Sequence, residues 1–218
     1  MLASLKKKET YKHYFKTLRY ALYCMTHPLD GFWDLTHEKR GSMAAANTIL
    51  ALVLITRIAG LRYTSFLFQK IYWPDINIFL YCSSILFPLA LWCLGNWGLT
   101  TLFDGKGRLK QVYMATCYAM APYPLINIPL IFISNLVTED EGSFYTVLVT
   151  ISLVWAGALI IAAMMQIHEY SISKTIFFTI ASIFAMLVIT FILMLFFTMI
   201  SSGVAYFVSL VKEVMFRY

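Results

Sequence analysis

Charge is what this 218-residue chain has least of: 13% of its residues are Asp, Glu, Lys or Arg, against 60% hydrophobic. A soluble domain carries roughly one quarter charged residues, so an ordinary water-soluble fold is excluded. The patterns of several common chemistries are missing as well. No GxxxxGK[ST] run occurs, which leaves Gly105-Lys106-Gly107 as a basic turn rather than a phosphate loop. His168-Glu169 opens like HExxH, but Ile172 stands where the second histidine must be, and a zinc-protease site fails on spacing. The four cysteines, Cys24, Cys82, Cys93 and Cys117, show no CxxC spacing and no histidine set beside them. They read as small apolar residues, with Cys24, just ahead of the membrane, the one placed for acylation. No carboxylate falls clearly inside an apolar stretch to pair with His13, His27, His37 or His168, so neither acid–base catalysis nor a proton relay is expected. An internal repeat, the usual mark of a secondary transporter, is also lacking. The expectation is a protein with no catalytic residue, no cofactor and no metal.

What the chain does have is five long apolar stretches, at 43–66, 76–103, 112–136, 145–167 and 175–200. Each meets the roughly 20 residues a helix needs to cross the hydrocarbon, where only closed backbone hydrogen bonding survives. The fold class is therefore all-α: a polytopic integral membrane protein with a five-helix transmembrane bundle. Its mean hydropathy of +0.72 agrees. Aromatic residues gather at the predicted span ends, as at Tyr72, Trp73, Trp97, Phe103, Tyr113, Phe144 and Tyr145, where amphipathic rings favour the headgroup layer. The organisation reads as a cytoplasmic basic helix and connector over 1–42, the membrane domain over 43–200, and an amphipathic extension over 201–218. That extension either lies along the outer surface or lengthens span five.

The net charge of +6 comes with a location that argues against nucleic acid. Eight of the seventeen basic residues precede span one: Lys6, Lys7, Lys8, Lys12, Lys16, Arg19, Lys39 and Arg40. Anionic lipid is the expected counterpart. Lys106, Arg108 and Lys110 lie between spans two and three, and Lys174 between four and five. The positive-inside rule puts these strips and the N-terminus in the cytoplasm, and five crossings put the C-terminus outside. With charge throughout the first 42 residues, no cleavable signal peptide is expected.

Across 11–25 the apolar residues Tyr11, Tyr14, Phe15, Leu18, Leu22 and Met25 recur every three or four positions, within about 100° of a helix. Lys8, Lys12, Lys16 and Arg19 line one flank of that stripe. Together with Lys6 and Lys7 they form the candidate lipid-binding set, each worth about 1 kcal/mol near an anionic surface. The same helix would also pack on the protein's own cytoplasmic loops, and the two uses can coexist. Beyond it, His27-Pro28-Leu29-Asp30-Gly31-Phe32-Trp33-Asp34 reads as an ordered connector in which Pro and Gly end the helix.

Three polar residues stand out inside spans: Arg57, Asn96 and Asn127. An Arg in hydrocarbon needs a partner or an exit. Arg62 can snorkel outward, whereas Arg57 either does the same or faces the bundle towards Asn127, hydroxyls or freed carbonyls. Span three holds Pro122, Pro124 and Pro129, so it must be kinked or interrupted. The result is either a polar crevice near the midplane or tight helix packing. Ala158 with Ala162, and Ala181 with Ala185, mark faces for helix pairing, within the bundle or in a homo-oligomer.

The run Asn96-Trp97-Gly98-Leu99-Thr100-Thr101-Leu102-Phe103-Asp104-Gly105-Lys106-Gly107-Arg108-Leu109-Lys110-Gln111, entering the proline-rich span, resembles the bacterial branch of the Yip (Ypt-interacting protein) membrane family. The likeness extends to His27-Pro28, to Ala121-Pro122-Tyr123 and to His168-Glu169-Tyr170-Ser171. It implies five helices, a cytoplasmic N-terminus, a place in a bacterial plasma membrane and no known catalytic activity. Eukaryotic members bind small prenylated GTPases, but this chain lacks their long N-terminal region and the Asp-Leu-Tyr-Gly-Pro type of motif, so that partner is not carried over.

Two functions are expected to compete. One is a non-enzymatic scaffold or adaptor that grips anionic lipid and offers Phe32, Trp33, Asp104, Lys106, Arg108 and Lys110 to a membrane-protein partner, an ABC-type permease among them. The other is a transport component, either an accessory permease subunit or a small channel-like protein built on the span-three crevice.

Overall fold

The computed structural model describes residues 2–68 and 76–216, excepting the side chains of 2–10 and of Glu139. Lys70, Tyr72, Trp73, Pro74 and Asp75 lie outside that set, and so do the side chains of Lys6, Lys7 and Lys8. Among the described residues the regular structure is entirely helical. In order the elements are α1 (Leu2–Thr26), α2 (Pro28–His37), α3 (Met43–Tyr63), α4 (Ile78–Leu102), α5 (Leu109–Ala119), α6 (Pro122–Ile133), α7 (Gly142–His168) and α8 (Ile172–Phe216), with one 3₁₀ turn at Glu139–Glu141. Among the described residues five units are long and apolar enough to cross a bilayer: α3, α4, α5 with α6, α7 and α8. The chain is a multi-pass membrane protein.

Local chemistry fixes several of the boundaries. Ser42 caps α3 by accepting from the Ala45 amide at 3.1 Å, and Asn77 caps α4 by accepting from Phe79 and Leu80. Pro28 does not close a helix but opens α2, because at the first helical position its missing N–H is not needed. The expected connector over 27–34 is therefore mostly helical. Gly31 allows this helix to fold back on α1: a Cβ there would stand 2.8 Å from the Cys24 Cα.

Span three breaks after Ala119, and α6 restarts with Pro122 at its first turn. The Thr116, Cys117, Tyr118 and Met120 carbonyls at the break are taken up locally, with the Met120 amide donating to Thr116 and Cys117, the Ala121 amide to Tyr118 and the Tyr123 amide to Met120. α8 continues without interruption from Ile172 to Phe216, so residues 201–216 lengthen the last span. At 1.5 Å per residue it is about 67 Å long, roughly twice the hydrocarbon thickness.

The packed core sits at one end of the bundle. It joins Ala21 and Cys24 of α1, Phe32 and Leu35 of α2, Ala45 and Ala46 of α3, Val112 and Cys117 of α5, and Ala163 and Met164 of α7. Tyr118, fully buried, ties three of these helices: its hydroxyl donates to the Thr17 carbonyl at 3.0 Å and accepts from the Ser42 amide at 3.3 Å. On α7 the buried small residues are Ser152, Ala156 and Ala163, whereas Ala158 is exposed. On α8, Ala185 faces Gly95, where a Cβ would meet the Ala185 Cβ at 3.6 Å.

Candidate functional site

The end of the bundle that carries α1 and α2 gathers most of the residues expected to function. α1 presents three faces. Thr17, Ala21, Cys24 and Met25 are buried against the protein, while Tyr11, Phe15 and Leu22 remain exposed. Lys12, Lys16 and Arg19 are exposed on the next flank, set at roughly 100° per residue around the helix. The helix thus docks through one face and keeps an apolar stripe beside its cations. The docking face escaped sequence reading because Thr17 and Cys24 interrupt its hydrophobic signal. Cys24 has 0% exposure, and burial pushes its thiol up to about 12, which removes it as an acylation site.

A second surface joins segments far apart in sequence. Trp33 of α2 is 41% exposed and stacks on His37, ring centres 3.8 Å apart. The His37 Nε2 stands 3.6 Å from Glu169 Oε1, and the other carboxylate oxygen takes a hydrogen bond from Lys106 Nζ. Hydrogen bonding to Lys106, then to His37, holds the Glu169 carboxyl below the usual carboxylate range. Glu169 caps α7 in the left-handed conformation, φ 55°, which disfavours a residue with a Cβ by about 1–2 kcal/mol. That backbone turn directs its carboxylate at Lys106. Asp104, also left-handed at φ 59°, Arg108 and Lys110 are exposed around the same turn. Phe32 is a correction: with 0% exposure it lies in the core, because on α2 it points about 100° away from Trp33.

Under the surface runs a buried polar chain. The Gly107 amide donates to His168 Nδ1 at 3.3 Å, so Nε2 carries the proton and donates to Asn96 Oδ1 at 3.0 Å. Asn96 Nδ2 donates to Ser182 Oγ at 3.1 Å, and Ser182 donates to the Phe178 carbonyl. One chain of bonds thereby fastens the α4–α5 turn, α7, α4 and α8. Asn96 was visible in the sequence as an isolated polar residue, but Ser182 and the role of His168 were not. A hydroxyl bonded to its own helix leaves no mark on hydropathy.

The intramembrane residues pair differently from expectation. Asn127 donates to Ser152 Oγ at 2.8 Å and to the Tyr123 carbonyl at 2.9 Å, rather than accepting from Arg57. The Arg57 guanidinium lies over the Tyr81 ring, 4.9 Å from its centre, and its buried Nε has no hydrogen-bond partner among the described residues. A cavity of about 370 Å³ does open beside the span-three break, between Leu18 of α1, Ile49 of α3 and Pro124 of α6. Its lining is apolar apart from Arg19, so of the two outcomes open for span three the polar crevice is not what forms here; the space is an apolar groove.

A model of the family described as Yip1 domain matches residues 22–194. The chain belongs to the Yip1 domain family. The match takes in α2, the joined surface, the buried polar chain and the broken third span of this Yip1 domain protein, and it leaves outside the basic flank of α1 through Arg19 and the last turns of α8. Comparison with curated proteins and with solved structures found no match for either.

Proposed function

We propose that this Yip1 domain protein is a non-enzymatic membrane scaffold of the family's bacterial branch. In this reading the α1 end faces the cytoplasm of a bacterial plasma membrane, the C-terminus lies outside, and Lys12, Lys16 and Arg19 hold α1 on anionic lipid. The observation that carries it is the Glu169 bridge: one carboxylate draws together Lys106 and His37, so that Trp33, Asp104, Arg108 and Lys110 share one exposed surface. An exposed aromatic among fixed charges suits a protein partner. The partner class is a membrane subunit of a transporter, an ABC-type permease being one such. An accessory role in transport is contained in this reading. A pore through span three draws no support from a groove whose lining is apolar apart from Arg19.

The test places a photoreactive residue at Trp33 in the intact protein in its native membrane. A discrete protein crosslink is expected, falling at least tenfold when Arg108→Glu and Lys110→Glu reverse the surface charge. An unchanged crosslink refutes the docking surface. Solute flux through proteoliposomes of the purified protein alone would revive the channel reading.

A further inference from the structure

We propose that the groove between α1, α3 and α6 seats one acyl chain of an anionic phospholipid, whose phosphate is held by Lys16 and Arg19. This rests on the reading of α1 as a lipid-facing helix and narrows it to a single site. At about 370 Å³ the groove falls within the size of ligand pockets. Its walls include Phe15 and Leu22, 64% and 48% exposed, and Leu52 and Leu125, 37% and 51% exposed, so a large apolar area awaits an apolar occupant. α3 and α6 belong to membrane-crossing units, where the medium available to fill it is lipid chain.

The groove's mouth selects the headgroup. A second cavity shares Arg19 and Leu22 with it and continues over Lys16, Tyr20 and Arg40. Arg40 is committed to Asp34, at 3.0 Å, and to Glu38. Lys16 and Arg19 have neither an ion pair nor a side-chain hydrogen bond among the described residues. Two unanswered cations at the rim of a hydrocarbon slot complement a phosphate attached to an acyl chain.

Full-length protein in mild detergent, titrated with phosphatidylglycerol or phosphatidylcholine and weighed by native mass spectrometry, tests this. One phosphatidylglycerol should be retained per chain, at least tenfold better than phosphatidylcholine. Leu125→Trp and Leu52→Trp, each at an exposed lining position, should abolish that single lipid, and Lys16→Gln with Arg19→Gln should erase the preference. Retention indifferent to both tryptophans overturns the site. A phosphatidylglycerol carrying a diazirine in its chain needs no variant: crosslinks within 15–22, 49–52 and 121–128 support the proposal. Lipid crosslinks confined to other segments, or protein segments occupying these in place of lipid, overturn it. Enrichment of anionic lipid around the protein in mixed nanodiscs, and its dependence on Lys12, Lys16 and Arg19, reports the broader α1 reading separately. Loss of that enrichment with the retained lipid intact sinks the surface reading alone.

Discussion

The α1 end of the bundle and the outer run of α8 are both apolar, yet one is sealed and the other bare. At the first, Phe32, Leu35, Val112, Tyr118 and Ala163 have 0% exposure. From Met194 to Phe216, α8 is exposed all round. Hydropathy records a preference for leaving water and does not say whether protein or lipid receives the side chain, because lipid tails are as apolar as Leu. What separates the two regions is small residues and polar glue. The sealed end has Gly31, Ala45, Ala46 and Gly107 at close approaches, with Tyr118, His168 and Asn96 bonding across helices. The bare run carries Phe196, Phe197, Tyr206 and Phe207, with hydroxyls such as Thr198 turned back onto their own helix.

The largest test of this contrast substitutes one phenylalanine in each region. Phe32→Ala should destabilise the protein by about 3–5 kcal/mol through the cavity it leaves. Phe207→Ala should stay within about 0.5 kcal/mol. Denaturant titration of both variants in the same detergent reads the difference. Equal losses would mean that the outer run of α8 packs against another chain.

Glycine sharpens the comparison at smaller amplitude. A Cβ at position 107 would stand 2.5 Å from Ile167 Cγ2 and 2.6 Å from His168 Cε1, inside the polar chain that fastens four elements. Gly107→Ala should cost about 1–3 kcal/mol by overpacking. Around Gly203 nothing lies within 4 Å of an added Cβ, so Gly203→Ala should be neutral or stabilise the helix by up to about 1 kcal/mol. The same denaturant titration decides it, and destabilisation at position 203 would again reveal a hidden contact.

These contrasts also mark what was legible in the sequence. The five spans were, to within a few residues except at the end of the fifth, which runs on to Phe216, because roughly 20 apolar residues between charged strips leave a bilayer-crossing helix few alternatives. The break in span three was read from Pro122, Pro124 and Pro129, and the pairing of the polar residues was not: Asn127 found Ser152, and Arg57 found the Tyr81 ring. Partner choice between helices depends on which residues face each other, and no periodicity within one helix contains that. Phe32 and Trp33 show the same limit on a small scale. Adjacent aromatics look alike in sequence, and 100° of helix rotation puts one in the core and the other on the surface. The joined surface was half legible, since both its segments were named but Glu169, which connects them, was seen only as the end of span four.

The smallest expected effect probes that connection. Because Lys106 and His37 hold the Glu169 carboxyl below its ordinary value near 4.5, Glu169 binds a proton more readily in the unfolded chain than in the folded one. Its stabilisation is therefore fully present above the ordinary carboxylate range and is lost as pH falls through the depressed folded value. Glu169 is exposed and its partners face water, so salt should shrink the effect further. Lys106→Met removes the main cause of the depression. The variant's melting temperature should fall less steeply than the wild type's as pH drops below about 4.5, with the two profiles converging in 1 M salt. Parallel profiles at low salt would show that Lys106 does not hold Glu169 in solution, and the α2 and α4–α5 surfaces would then be two separate patches rather than one.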